Sequence, residues 1–108
     1  MSVPSPDHIR GVFQRYVELV TAGDADAIAN LYAEDATVED PIGSTPHRGR
    51  AAIREFYRES AGRVRLVLEG RVRVAGHEAA GAMIAYPMGA DGMVVDTVDV
   101  MTFDEAGL

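Results

Sequence analysis

The hydrophobic period changes once along this 108-residue chain, and the change comes at Gly62. Ahead of it, Ile9, Val12, Phe13, Tyr16, Val17 and Val20 recur at i, i+3, i+4 spacing, the mark of an amphipathic helix. Beyond it, Arg63-Val64-Arg65-Leu66 and Arg71-Val72-Arg73-Val74 alternate charged and apolar side chains, as half-exposed strands do. Helices first and strands after predicts an α+β chain, with three N-terminal helices packed in the concave face of a curved antiparallel sheet. A chain of this length is enough for one domain, residues 1–108, and too short for two.

Local signals place the elements. Ser5-Pro6-Asp7 starts the first helix, with Ser as N-cap, Pro at the first helical position and an acid at the positive end of the dipole. Gly23 ends it, and Asp24 caps a shorter helix with Ala27, Ile28, Leu31 and Tyr32 on its buried face. Thr37-Val38-Glu39-Asp40 reads as a brief strand stopped by Pro41, and Ile42 to Gly49 as a loop. A third helix is expected from about Arg50 to Ala61, burying Ala52, Ile53, Phe56 and Tyr57. Gly70 divides the two alternating segments that follow and marks a bend or bulge. A strand from about Ala79 to Met88, a turn at Asp91-Gly92 and a strand from Met93 to Phe103 complete the meander. Asp104-Glu105-Ala106-Gly107 is a second turn signal one residue before the chain stops, so a further C-terminal strand is expected to be missing.

Composition removes whole classes of chemistry. Seventeen acidic against ten basic side chains give a net charge of −7, the wrong sign for a phosphate backbone, so no nucleic-acid partner is expected. Every basic residue is Arg, which excludes a lysine nucleophile or Schiff base. Cysteine is absent, which excludes disulfides, thiolate catalysis and Cys-ligated metals. His8, His47 and His77 lie far apart without ligand spacing, and no dinucleotide, P-loop or nucleophile-elbow motif occurs. No apolar stretch is long enough to span a membrane, and Met1 to Asp7 lacks the features of a secretory signal. A cytoplasmic protein working without metal or cofactor is expected, and any catalysis must run on carboxylates and phenols.

Three sets of residues could carry such chemistry. In the last strand, Val95, Thr97, Asp99, Met101 and Phe103 share one face and Val94, Asp96, Val98, Val100 and Thr102 the other. Asp99 therefore sits in apolar company, where a carboxyl group keeps its proton and becomes a donor, unless an Arg or water meets it. Asp96, on the outer face, is the weaker candidate. Asp40 shares a face with Val38 and is held extended by Pro41 at a strand end, near a cavity mouth. Taken alone it is equally an ordinary loop-starting Asp, and Glu39 points the other way toward solvent. Tyr16, Tyr32 and Tyr57 each lie on the apolar stripe of a different helix, as core residues or as a converging set of hydroxyls.

The runs Arg15-Tyr16-Val17-Glu18-Leu19-Val20, Leu31 through Asp40-Pro41, Phe56-Tyr57-Arg58 and Val98-Asp99 through Asp104-Glu105 resemble, in order, those of bacterial Δ5-3-ketosteroid isomerases. Nearly the whole chain is covered. Without the combination of Asp40-Pro41 and Asp99, the pattern would point only to the broader nuclear-transport-factor-like cone. The resemblance implies a cofactor-free isomerase that moves a C=C bond into conjugation with a steroid 3-ketone through a dienolate. It implies Asp40 as general base, Tyr16 and protonated Asp99 as hydrogen-bond donors to the steroid oxygen, and Tyr57 and Tyr32 as a supporting network. Such isomerases are a standard case of pKa tuning. Val20, Val64, Met83 and Met101 are expected to line the steroid pocket. The resemblance also implies a homodimer through the outer sheet face, burying Val98 and Val100. Ala85 and Pro87 depart from the family, which has bulkier pocket residues there.

Two other readings use the same fold: a non-catalytic protein binding a hydrophobic ligand, and a cyclase or epoxide hydrolase. The second would call for carboxylates around a held water rather than paired Tyr16 and Asp99 donors.

Overall fold

The computed structural model describes residues 4–89 and 92–108. Helix α1 spans Pro6–Ala22; Ser5 Oγ accepts from the His8 amide at 3.1 Å, and Gly23 closes the helix in the left-handed region at φ 80°. Its stripe buries Ile9, Phe13, Tyr16, Val17 and Val20, as the spacing requires. Helix α2, Ala25–Ala29, is capped by the Asp24 carboxylate, which accepts from the Ala27 amide at 3.0 Å. Helix α3 spans Arg50–Ser60 and buries Ile53 and Tyr57.

Helix α2 ends at Ala29, so Leu31 and Tyr32, expected on its buried face, lie in the turn that follows. Two strands also differ from the sequence expectation. Residues 42–49, expected as loop, contain β2 (His47–Arg48), which pairs antiparallel with β1 (Thr37–Val38). A two-residue strand between Pro46 and Gly49 carries no period to read. Further on, the two alternating segments form one strand, β3 (Val64–Ala75), whose register shifts between Glu69 and Arg73. Two extra residues of β3 are taken up there, with Gly70 at φ 76° in a conformation that a side chain disfavours, so the strand bends without ending.

Strands β4 (Glu78–Pro87) and β5 (Val95–Thr102) complete an antiparallel sheet of order β3-β4-β5. Of the expected Asp91-Gly92 turn, Asp91 lies outside the described residues. The second turn is present: Asp104 accepts from the Ala106 and Leu108 amides at 2.9 and 3.0 Å.

One face of the sheet is covered by helices. Phe13 inserts where β4 has Gly81, and a Cβ there would stand 2.9 Å from two of its ring atoms. Thr21 ties α1 to β3, accepting from the Leu66 amide at 2.9 Å and lying 2.8 Å from the Val17 carbonyl. Ile9, Phe13, Ile28, Ile53 and Met83 are fully buried in this core, each contributing about 1.5–3 kcal/mol over an exposed position. The outer face is bare: Val98 and Val100 are 68% and 70% exposed. Among the described residues no helix is long and apolar enough to cross a membrane.

Candidate active site

The three tyrosines converge. Tyr16 comes from the middle of α1, Tyr57 from the inner face of α3, and Tyr32 from the segment after α2. Tyr57 Oη lies 2.9 Å from Tyr16 Oη and 3.0 Å from Tyr32 Oη, so the hydroxyls form a chain with Tyr57 at its centre. Their rings pack as well, Tyr16 edge-on to Tyr57 at 6.0 Å and Tyr32 stacked on it at 6.2 Å. Burial drives all three phenols well above their ordinary pKa, with further contributions from neighbouring phenols and Asp99. They stay protonated at any working pH.

The phenol chain is held by backbone anchors. Arg50, at the start of α3, donates from Nε and Nη2 to the Tyr32 carbonyl at 3.1 and 2.7 Å, joining the segment that carries Tyr32 to the helix that carries Tyr57. The Arg50 and Gly49 amides donate to the Glu34 and Ala36 carbonyls, at 3.1 and 2.8 Å.

Asp99 faces this cluster from β5. The alternation read from sequence holds: Thr97, Asp99 and Met101 are half-buried and Phe103 buried, whereas Asp96, Val98 and Val100 are exposed. Burial, then the charge of Asp40, pushes the Asp99 carboxyl up to about 6. The shift has the expected direction, but it leaves the group largely ionised at neutral pH while water still reaches the cavity. A dry ligand that excludes this water raises it further.

Between the helices and the sheet lies a cavity of about 880 Å³, lined by Tyr16, Tyr32, Tyr57, Asp99 and Asp40 together with Val20, Val64 and Met101. That volume is at the upper end of the usual range for small-molecule sites. Asp40 stands exposed after β1, followed by Pro41. Glu39, exposed as expected, also borders the cavity, and its carboxylate accepts from the Gly43 amide to close the turn behind Asp40.

Met83 is the exception among the expected lining residues. It is only 1% exposed and belongs to the packed core, because helix α1 covers that stretch of β4. Strand parity placed it on the correct face but carried no information on depth. The cavity walls include Ala85, at a position the resemblance already gave to the pocket, and also Ser60, Leu66 and Thr97, which the sequence did not assign there. A signal existed for these last three: Leu66 shares parity with Val64, Thr97 with Asp99, and Ser60 follows Tyr57 by three residues. Among the described residues no three His, Asp or Glu side chains gather to hold a metal.

Chemically, the site combines three protonated phenols in a buried wall with exposed carboxylates at the rim, Asp40 among them. Residues 13–108 match the SnoaL-like domain. A steroid Delta-isomerase from Nocardioides simplex is 45% identical over 100 residues, covering 92% of this chain and 81% of that protein. The solved structure of SalBIII, described as an epoxide hydrolase/cyclase-like enzyme in pyran ring formation in the polyether salinomycin, superposes with a TM-score of 0.77 at 30% identity. That match covers 92% of this chain and 82% of the other. The chain belongs to the SnoaL-like domain family and, within it, to the steroid Delta-isomerases.

Proposed function

We propose that this protein isomerises Δ5-3-ketosteroids to their conjugated Δ4 forms without a cofactor. The observation that carries the reading is the chain of buried phenols in a cavity that Asp99 also lines and whose rim holds Asp40.

In the proposed reaction Asp40 removes the proton on carbon 4, between the 3-ketone and the double bond. The electrons of that C–H bond form a dienolate with its charge on the 3-oxygen. Asp40 then delivers the same proton to carbon 6. The double bond has moved from carbons 5 and 6 to carbons 4 and 5, and the carboxylate is restored. A single base serving two carbons must reach both, and a side chain at an exposed strand end has that freedom.

The developing oxyanion is met by Tyr16 and by Asp99 in its protonated form. Three phenols have three protons to share. When Tyr32 donates to Tyr57 and Tyr57 to Tyr16, the Tyr16 proton is left for the ligand. Donors already aimed in a water-poor wall cost no reorganisation during reaction, and removing one such donor typically slows turnover by about 10²–10³-fold. The steroid itself completes the site, since its apolar body displaces the water that lets Asp99 ionise.

The identity with a steroid Delta-isomerase supports this chemistry over the epoxide opening suggested by the SalBIII likeness. So does a cavity that Asp99 shares with three phenols. The reading includes a cytoplasmic homodimer, in which the bare outer face of Val98 and Val100 meets its copy.

The test is to mix the purified protein with a Δ5-3-ketosteroid and follow the ultraviolet absorbance of the conjugated enone. Rapid growth of the signal is expected. Folded protein that binds the steroid and gives a flat trace would replace the isomerase with a binding protein.

A further inference from the structure

On the inner face of β4, Gly81, Met83 and Ala85 succeed one another at the two-residue period of a strand. The first two positions are filled from within the protein, Gly81 by the ring of Phe13 and Met83 by its own buried side chain. Ala85 is different. It lines the cavity, and its short side chain leaves the space above it open.

The sheet register locates that space. Gly81 stands opposite Asp99, and Ala85 stands between Leu66 and Val95. Four residues along the strand separate the two rows, about 14 Å at ~3.4 Å per residue. This exceeds the distance from the 3-ketone to carbon 17 across four fused rings. Helix α1 runs in the same direction, with Phe13 against Gly81 and Thr21 bonded to Leu66. Val20 thus extends the wall from Tyr16 toward Ala85, joined by Val64 and Leu66. Asp104 borders the opposite end of the cavity beside Phe103 and Leu108, whereas Val20, Val64, Leu66 and Ala85 put no carboxylate at this one.

Beyond Ala85 the surface remains apolar. Met88, Met93, Val94 and Val95 are 61%, 55%, 55% and 41% exposed at the same end of the sheet. Single exposed hydrophobes need no explanation, but several at one end of the sheet offer an apolar occupant of the cavity further surface beyond its wall.

We infer that Ala85 opens a subsite for an apolar side chain on carbon 17, and that the substrates are sterol-derived ketones rather than bare four-ring steroids. The steroid is held by its ketone at Tyr16 and Asp99, its rings lie along the sheet, and its side chain passes over Ala85 toward that apolar end of the sheet. This rests on the isomerase reading above.

The experiment compares two ligands, one carrying the eight-carbon side chain of cholestane and one with only a ketone at carbon 17. Turnover of the Δ5 forms and equilibrium binding of the Δ4 forms are both measured, on wild type, Ala85→Phe and Ala85→Leu. Wild type is expected to process the long-chain substrate at least as well as the short one. The long-to-short ratio is expected to fall by at least about tenfold in Ala85→Phe and by less in Ala85→Leu, because a filled pocket discriminates by bulk. A ratio within twofold of wild type in both variants would overturn the subsite, as would a wild type that turns over only the short substrate. Were neither turned over by folded protein, the isomerase reading would fail, and the binding ratios alone would decide the subsite.

Discussion

The two regions of the proposed active site are built in opposite ways. Tyr16, Tyr57 and Tyr32 come from separate helical segments and are fixed by packing, mutual hydrogen bonds and the Arg50 clamp. Asp40 stands exposed at a strand end, with a turn behind it closed by the Glu39 carboxylate. The difference follows from the tasks. An oxyanion develops at one place, so its donors gain from rigidity. A proton travels between two carbons, so the base gains from reach.

The largest expected effect strikes the mobile region. Asp40→Asn keeps shape and removes basicity, and turnover of a Δ5-3-ketosteroid should fall by about 10²–10⁴-fold. Equal turnover in the variant would mean that the proton leaves by another route. In the rigid region, Tyr16→Phe and Asp99→Leu should each slow turnover by about 10²–10³-fold, and the double variant should be slower than either. Steady-state rates for all three settle whether the donors act on one oxygen. Tyr57→Phe should cost less, about tenfold, because the phenol acts through Tyr16 and typical hydrogen bonds contribute about 1 kcal/mol. A loss as large as that of Tyr16→Phe would place Tyr57 against the substrate.

Acidity sharpens the same contrast. Asp99 titrates at about 6 in the open site and must be protonated to donate. The specificity constant, which reports the free enzyme, should therefore decline as pH rises through about 6, while kcat, which reports the complex, holds to higher pH. Asp99→Asn should remove that decline. The smallest effect is on stability. A carboxyl raised by burial penalises the fold once it ionises, so this penalty is absent near pH 4, grows toward pH 6 and is full above it. Thermal unfolding of Asp99→Asn should show a gain over wild type at pH 7 that vanishes near pH 4.

Periodicity was the legible part of this chain. The stripe of α1 and the alternation of β5 each put a donor on the inner face, Tyr16 and Asp99, because a period fixes direction. Convergence was not legible from the spacing. That Tyr16 and Tyr32 both come within 3.0 Å of Tyr57 depends on how α1, α3 and the segment after α2 pack, and on Arg50 binding the Tyr32 carbonyl. Depth was hidden as well: Met83 and Ala85 share parity, yet the helices cover one and leave the other open. The shortest element, β2, escaped notice since two residues hold no pattern.

The central claim is a division of labour between a rigid donor wall and a separate base. Its most direct test titrates a phenolic steroid, a stand-in for the dienolate, against wild type, Asp40→Asn and Tyr16→Phe, following the phenolate absorbance of the bound ligand. Asp40→Asn should bind at least as tightly as wild type and still ionise the phenol, because it removes a charge that repels the oxyanion and leaves both donors in place. Tyr16→Phe should lose affinity and phenolate signal together. Comparable losses in Asp40→Asn would show that base and donors form one inseparable unit, and the account would fail.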